Sequence, residues 1–197
     1  MVRNPELTRS IILETACELF NTQGYKATSI SDITEKANLT KGAIYRHFQD
    51  KSSLEKEALR TMCTKMLSDI SFEIKKAKNS KDKLYCILDY FKAYGKKPPF
   101  IGGCPLMNAA IEADDNNMEL KQVVKFIMQQ IHDSIGTIVK NGIKYGQIKK
   151  GVPEKELSSF MISALEGGVM MLKIFDNDKH LNHCIKLLKK EIDSILI

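Results

Sequence analysis

Hydrogen-bond donors, positive charges and small side chains are concentrated in residues 40–51 of this sequence, TKGAIYRHFQDK. Lys41 and Arg46 could donate to phosphate oxygens or to the edges of bases. Gly42 adds no bulk, so a rigid surface could approach the backbone closely there. The segment and the two residues that open the preceding helix have the chemistry of a nucleic-acid contact. The candidates are Thr28, Ser29, Thr40, Lys41, Gly42, Ala43, Tyr45, Arg46, His47 and Lys51.

Three short helices are predicted to position these side chains. Apolar residues spaced for one helical face predict a first helix over 6–22, with Gly24 as its C-cap. Thr28 or Ser29 can cap a second helix, in which Asp32 would complete a capping box. Thr40 can cap a third helix through KGAIYRHF. Two short helices joined by a tight turn indicate a helix-turn-helix, whose second helix enters the major groove of DNA.

Apolar residues within this segment are predicted to form the core of the three-helix module, because they recur on the opposite helical faces. They are Ile30, Ile33, Ala37, Leu39, Ile44, Phe48 and Leu54. Singly, Tyr45 could be a half-buried aromatic residue and His47 an ordinary surface histidine. Their joint pattern favours a DNA contact.

Helices are expected through the rest of the chain. Asp50 can cap a long fourth helix that continues to about residue 78, and further helices are predicted over 82–95, 104–114, 117–147, 153–175 and 178–196. No stretch alternates apolar and polar residues as a half-buried strand would. The predicted fold class is therefore all-α.

Composition restricts the location and the partners. The chain has 197 residues and a net charge of +6, but residues 1–60 carry only nine Lys and Arg against eight Asp and Glu, so DNA binding would depend on a few well-placed cations. No uninterrupted apolar run approaches the roughly 18 residues of a membrane span, and no signal peptide is evident. We therefore expect a cytoplasmic protein without a membrane partner. The five cysteines are scattered and lack a CxxC pair, so no disulfide framework, metal or other cofactor is expected.

Residues 9–54 resemble the DNA-binding domain of the TetR family nearly position for position. The resemblance is carried by LF…GY.ATSI..I and by TKGAIYRHFQDKSSL. It implies a helix-turn-helix DNA-binding domain over residues 1–50, with its motif at 29–48, and a helical ligand-binding and dimerisation domain over residues 51–197. It also implies a transcriptional regulator, most commonly a repressor, that binds double-stranded operator DNA as a homodimer and leaves it when a small-molecule inducer binds.

The resemblance implies two further sites in the C-terminal domain. Flexible thioethers, aromatic rings and a few polar groups are the candidates for the ligand pocket: Met62, Met66, Tyr90, Tyr94, Met107, Asn108, Phe126, His132, Glu166 and Met170. An apolar seam along the last two helices is the candidate dimer interface: Leu157, Met161, Leu165, Gly168, Leu181, Ile185, Leu188 and Ile192. The alternative for this seam is an intramolecular core.

Other interpretations have less support. No phosphate-binding loop, nucleophile elbow or catalytic carboxylate pair is present, so an enzyme is not expected. The lysines of residues 75–97 could bind an acidic protein or a membrane surface, but interspersed acids favour a solvated face. Cys104 precedes a helix and could sense oxidants, although a buried structural role is favoured. His180, His183 and Cys184 share a helical face but lack a further metal ligand.

Overall fold

The computed structural model describes residues 4–197, and for residues 114–116 it describes the backbone only. Nine α-helices lie within this part of the chain: α1 (Pro5–Gln23), α2 (Ile30–Ala37), α3 (Lys41–His47), α4 (Lys51–Lys76), α5 (Ser80–Lys92), α6 (Pro105–Asn116), α7 (Met118–Lys144), α8 (Glu154–Phe175) and α9 (Lys179–Ser194). A 3₁₀ turn, Ala93–Gly95, follows α5. The all-α prediction is confirmed.

The predicted capping residues begin and end the helices of the N-terminal module. Ser29 and Asp32 form the complete capping box of α2, and the Thr40 hydroxyl accepts a hydrogen bond from the Ala43 N–H at the start of α3. The Asp50 carboxylate accepts from the Ser53 N–H, 2.7 Å away, at the start of α4. Gly24 ends α1 with a φ of +97°, in the left-handed region where glycine is favoured.

The chain forms two compact units whose boundaries differ from the predicted domain limits. The first unit contains the residues up to Lys65 together with Phe100–Ile127. Its core includes Ile33, Ile44, Phe48 and Leu54, whereas Ala37 and Leu39 are half-buried. Residues 100–127 belong to this unit because α6 packs against α1, a pairing between segments far apart in sequence.

The second unit contains Met66–Pro99 and Met128–Ile197. Helix α8 packs along α9, and α5 packs against both. By length and composition α8 could also cross a membrane, and it is the one such helix in the described residues. The core helix of a soluble protein has the same properties, and α8 contributes Leu157, Met161 and Leu165 to the buried interior of this unit.

Candidate nucleic-acid interface

Helix α3 separates a buried face from an exposed one. Ile44 on α3 and Phe48, its C-cap, are buried, and they fix the helix on the three-helix core. Lys41, Gly42 and Arg46 are exposed on the other side. Tyr45 lies with them and is 53% exposed, which is high for a tyrosine side chain in a packed helix. The outward face of α3 therefore consists of two cations, a phenol and a glycine.

The cations of this face are not neutralised within the chain. In the part of the chain that the structure describes, the side chains of Lys41 and Arg46 make no hydrogen bond or ion pair with another residue. By contrast, Lys36 on α2 is paired with Glu18 at 2.6 Å. Two cations without an intramolecular counter-charge are available to phosphate oxygens.

Four more candidate residues take part in helix capping or lie partly buried at the edge of α3. Ser29 and Thr40 are exposed and their hydroxyl oxygens cap α2 and α3, so both hydroxyls also stand at helix N-termini. Capping hydrogen bonds hold the pKa of the Asp32 carboxyl below its usual range, chiefly through the Ser29 N–H. Ala43 and His47 are half-buried, at the border between the two faces of α3.

Thr28 is not positioned to contact DNA, and the prediction for its side chain was wrong. It has no exposed surface, and its hydroxyl donates to the Gly24 carbonyl at 2.7 Å. The hydroxyl also lies 3.4 Å from the Leu19 carbonyl. Sequence reasoning treated Thr28 and Ser29 alike because both can cap a helix, whereas the turn before α2 directs only Ser29 outward.

Lys51 is occupied by partners inside the first unit. Its ammonium donates to the Tyr25 carbonyl at 2.6 Å and lies 3.3 Å from the buried carboxylate of Glu55. Burial raises the pKa of Glu55, and Lys51 and the amide of Asn117 oppose that rise. Because this ammonium compensates a buried carboxylate, the structure gives Lys51 a structural role that the sequence prediction did not contain.

Tyr25 and Glu55 were missed by the sequence analysis. Tyr25 is 2% exposed, and its ring stacks on Phe20 with centroids 5.0 Å apart. Its pKa is raised, first by burial. Tyr25 lies in the GY.ATSI motif and Glu55 stands four residues after Lys51 in α4, but the sequence does not show that the Tyr25 carbonyl and the Asn117 amide join this ion pair.

The predicted ligand residues are divided between the two units. Met62, Met107, Asn108 and Phe126 belong to the first unit, and Met66, Tyr90, Tyr94, His132, Glu166 and Met170 belong to the second. Phe126 is 64% exposed and Met170 is 49% exposed, so neither lines an enclosed cavity of this chain. Asn108 is already engaged with the carbonyls of Asn21 and Gly102. The ring of His132 lies 3.0 Å from the Lys155 carbonyl.

The proposed dimer seam is the intramolecular core between α8 and α9, which was the alternative interpretation. All eight of its residues are buried within one chain: Leu157, Met161, Leu165, Gly168, Leu181, Ile185, Leu188 and Ile192. Buried side chains cannot contact a second subunit, so the assignment of these residues to an interface was wrong. The apolar side chains that α8 leaves exposed are Phe160, Met170, Ile174 and Phe175.

The cysteine and histidine residues that were considered for redox sensing or metal binding pack against other parts of the chain. Cys104 is fully buried at the N-cap position of α6, with Pro105 in the first turn as predicted. His180 packs against Phe175, and its ring lies edge-on to that of His183. Among the described residues, no group of three or more His, Cys, Asp or Glu could hold a metal ion.

The fold and the exposed face of α3 define a helical protein with an N-terminal helix-turn-helix. The model for bacterial regulatory proteins of the tetR family matches residues 12–58, and the model for the tetracyclin repressor-like C-terminal domain matches residues 80–188. A TetR transcriptional regulator from Chloroflexus aurantiacus has the same fold, with a TM-score of 0.93 and 34% identity over 98% of this chain and 97% of that chain. This chain belongs to the TetR family of transcriptional regulators, and is not an enzyme.

Curated relatives agree with this assignment. The transcriptional repressor DhaR of Mycobacterium sp. strain GP1 is 24% identical over 182 residues, which cover 92% of this chain and 89% of the relative. The regulator AcrR of Shigella flexneri is 50% identical, but over 50 residues that cover 25% of this chain and 23% of the relative. The identity to AcrR is therefore high but limited to a short segment, whereas the identity to DhaR is lower and extends over most of the chain.

Proposed function

We propose that this regulator is a cytoplasmic repressor that binds operator DNA through the exposed face of α3. The observation that carries the proposal is the pair Lys41 and Arg46, which are exposed and lack a partner among the described residues. Gly42 supports a close approach to base edges, because among the described residues a Cβ there would have only the Thr40 hydroxyl within 4 Å, at 3.9 Å. Tyr45, His47, Ser29 and Thr40 are proposed to donate to phosphates.

Homodimerisation is proposed through the outer face of α8. Phe160, Ser163, Gly167, Met170 and Ile174 recur at spacings of three and four residues, which places them on one helical stripe. The side chains of this stripe are exposed, and Gly167 itself is half-buried. A stripe of this composition is typical of a surface covered by another helix.

Gly167 supports this position for the interface. A Cβ built there meets nothing within 4 Å among the described residues, so their packing gives no reason for a glycine. A glycine inside a helix costs about 1 kcal/mol relative to alanine. A partner helix that crosses α8 at Gly167 would account for this residue, because two backbones can then approach closely.

The ligand proposal is limited to the second unit. Tyr90, Phe91 and Tyr94 form an aromatic cluster, in which the Tyr90 and Tyr94 ring centroids are 6.3 Å apart. Met66 is buried, and Glu166 is half-buried on α8. We propose that the inducer is a largely apolar small molecule that contacts this aromatic cluster. Binding of the inducer would weaken the affinity of the protein for DNA, and bound DNA would weaken the affinity for the inducer by the same factor.

A selection experiment tests DNA binding. The purified protein would select duplexes from a random library, and the affinity of the enriched duplex would be compared with that of a random duplex by fluorescence anisotropy. We expect enrichment of one sequence by the wild type and loss of this preference in the double variant Lys41→Ala and Arg46→Ala.

The matched control removes the same charge from the lysine-rich segment, by Lys75→Ala and Lys78→Ala. Both control residues are exposed. The control should keep the sequence preference. If the wild type enriches no sequence, or if the two double variants behave alike, binding through α3 is disproved.

A further inference from the structure

The turn between α1 and α2 determines where the DNA-binding helices begin. It runs from Gly24 to the N-cap Ser29 and contains the buried Tyr25. The Thr28 hydroxyl closes it by donating to the Gly24 carbonyl at 2.7 Å. Because Ser29 follows directly, the conformation of this turn sets the position of the N-terminus of α2.

A carboxylate from α6 lies directly against this turn. Glu112 accepts a hydrogen bond from the Lys26 N–H at 3.0 Å, although the two residues are 86 positions apart. A Cβ on Gly24 would lie 2.7 Å from one carboxylate oxygen of Glu112 and 3.0 Å from the other. The absence of a side chain at Gly24 therefore leaves the space that Glu112 occupies.

One helical turn earlier, α6 also holds the end of α1. The amide of Asn108 donates to the Asn21 carbonyl at 3.1 Å and to the Gly102 carbonyl at 2.9 Å. In turn, the buried amide of Asn21 donates to the carbonyls of Ile101 at 2.6 Å and Gly103 at 3.0 Å. Asn108 and Glu112 are four residues apart and lie on the same face of α6.

We propose that Glu112, supported by Asn108, is a positioning residue for DNA binding that fixes the α1–α2 turn from α6. Charge-assisted hydrogen bonds from a backbone N–H to a carboxylate are stronger than neutral ones, so one contact can select one turn conformation. A displacement of α6 would release the Lys26 N–H and allow the start of α2 to move. This inference rests on the proposed DNA binding and adds a direct contact between α6 and the turn that precedes the helix-turn-helix.

The test compares Glu112→Ala with Glu112→Gln, because glutamine keeps an acceptor oxygen and loses the charge. Glu73→Ala is the control for loss of one negative charge, since Glu73 is exposed on α4 in the second unit. Two readouts are needed: affinity for the duplex that the wild type selects, and hydrogen exchange of the peptide that contains Lys26.

For Glu112→Ala we expect about tenfold weaker binding of the selected duplex and about tenfold faster exchange at residues 24–28, which is the loss of one hydrogen bond to a charged group. Glu112→Gln should keep the duplex affinity and the exchange rate at residues 24–28 close to the wild-type values. Glu73→Ala should change neither quantity. Exchange in α3 should stay at the wild-type rate, which separates a local effect from general unfolding.

Unchanged affinity in Glu112→Ala, or faster exchange throughout the first unit with no rescue by glutamine, would overturn the positioning role. A wild-type protein that selects no duplex would instead count against the proposed function. Exchange at Lys26 would then still show whether Glu112 holds the turn.

Discussion

At the scale of single residues, the structure divides the cations of the N-terminal module into two groups. Lys41 and Arg46 face outward, and within the described residues no carboxylate neutralises them. Lys51 compensates Glu55, whose side chain is 8% exposed. A basic side chain therefore does not indicate a DNA contact by its type alone. The position of its nearest carboxylate decides between binding and structural support.

Replacement of these lysines should separate the two roles. Lys41→Ala should reduce the slope of log K against log salt by about one, because one phosphate contact and its released counterion are lost. Lys51→Ala should leave this slope nearly unchanged and lower the free energy of unfolding by about 1–3 kcal/mol, since Glu55 loses its cation and the Tyr25 carbonyl loses a donor.

Salt titrations of DNA binding and urea denaturation of both variants would measure these effects. If the slope of log K against log salt changed equally in the two variants, Lys51 would also contact a phosphate. A Lys51→Ala protein as stable as the wild type would contradict its structural role.

At the scale of helices, two adjacent glycines in α8 have different surroundings. A Cβ on Gly168 would lie 2.8 Å from Leu181 Cδ1 and 3.2 Å from Leu181 Cα, so α9 is packed directly on this glycine. A Cβ on Gly167 would meet none of the described atoms within 4 Å. The close α8–α9 contact therefore requires Gly168 but not Gly167.

Alanine substitutions test this difference. Gly168→Ala should lower the free energy of unfolding by about 1–3 kcal/mol at every protein concentration, because the backbone of α9 must move away. Gly167→Ala should raise the stability of the isolated chain by up to about 1 kcal/mol through helix propensity. It should weaken dimerisation if a partner helix crosses there.

Denaturation at several protein concentrations would distinguish the two effects, because only a change at a subunit interface depends on concentration. Equal destabilisation by both alanines, independent of concentration, would place both glycines in the intramolecular core.

At the scale of the whole molecule, α8 has one apolar face that is buried in the chain and one that is exposed. One face packs on α9 inside the chain, and the other exposes Phe160, Met170 and Ile174. Charges introduced at Ile185 or Leu188 would disrupt folding rather than assembly, because both residues are buried within the chain. The exposed stripe is therefore the appropriate place to test dimerisation.

The double variant Met170→Glu and Ile174→Glu should be a folded monomer at micromolar concentration, because four carboxylates would meet across a two-fold axis. Sedimentation would give the mass, and circular dichroism would show that the helices remain. Phe72→Glu is the control, since Phe72 is an apolar residue on α4 with 61% exposure. A wild type that sediments as a monomer, or a double variant that stays dimeric, would refute this interface.

Local sequence determined the helices and the DNA-binding segment. The capping residues Ser29, Asp32 and Thr40 act over three residues, so the positions of α2 and α3 follow from short-range spacing. The burial of Ile44 and Phe48 follows from helical periodicity in the same way. The TetR resemblance of residues 9–54 consists of such local features, and it supplied the regulator class and the expected dimer and inducer.

Only the tertiary structure determined which surfaces these helices contact. Periodicity showed that α8 and α9 are apolar along one side, but it does not distinguish a neighbour in the same chain from a second copy. Similarly, the sequence predicts Asn108 as a polar anchor for a ligand, whereas the structure engages its amide with the carbonyl of Asn21, 87 residues away. Contacts such as that of Glu112 with the Lys26 N–H join segments with no short-range relationship, so the fold has to be known before their function can be inferred.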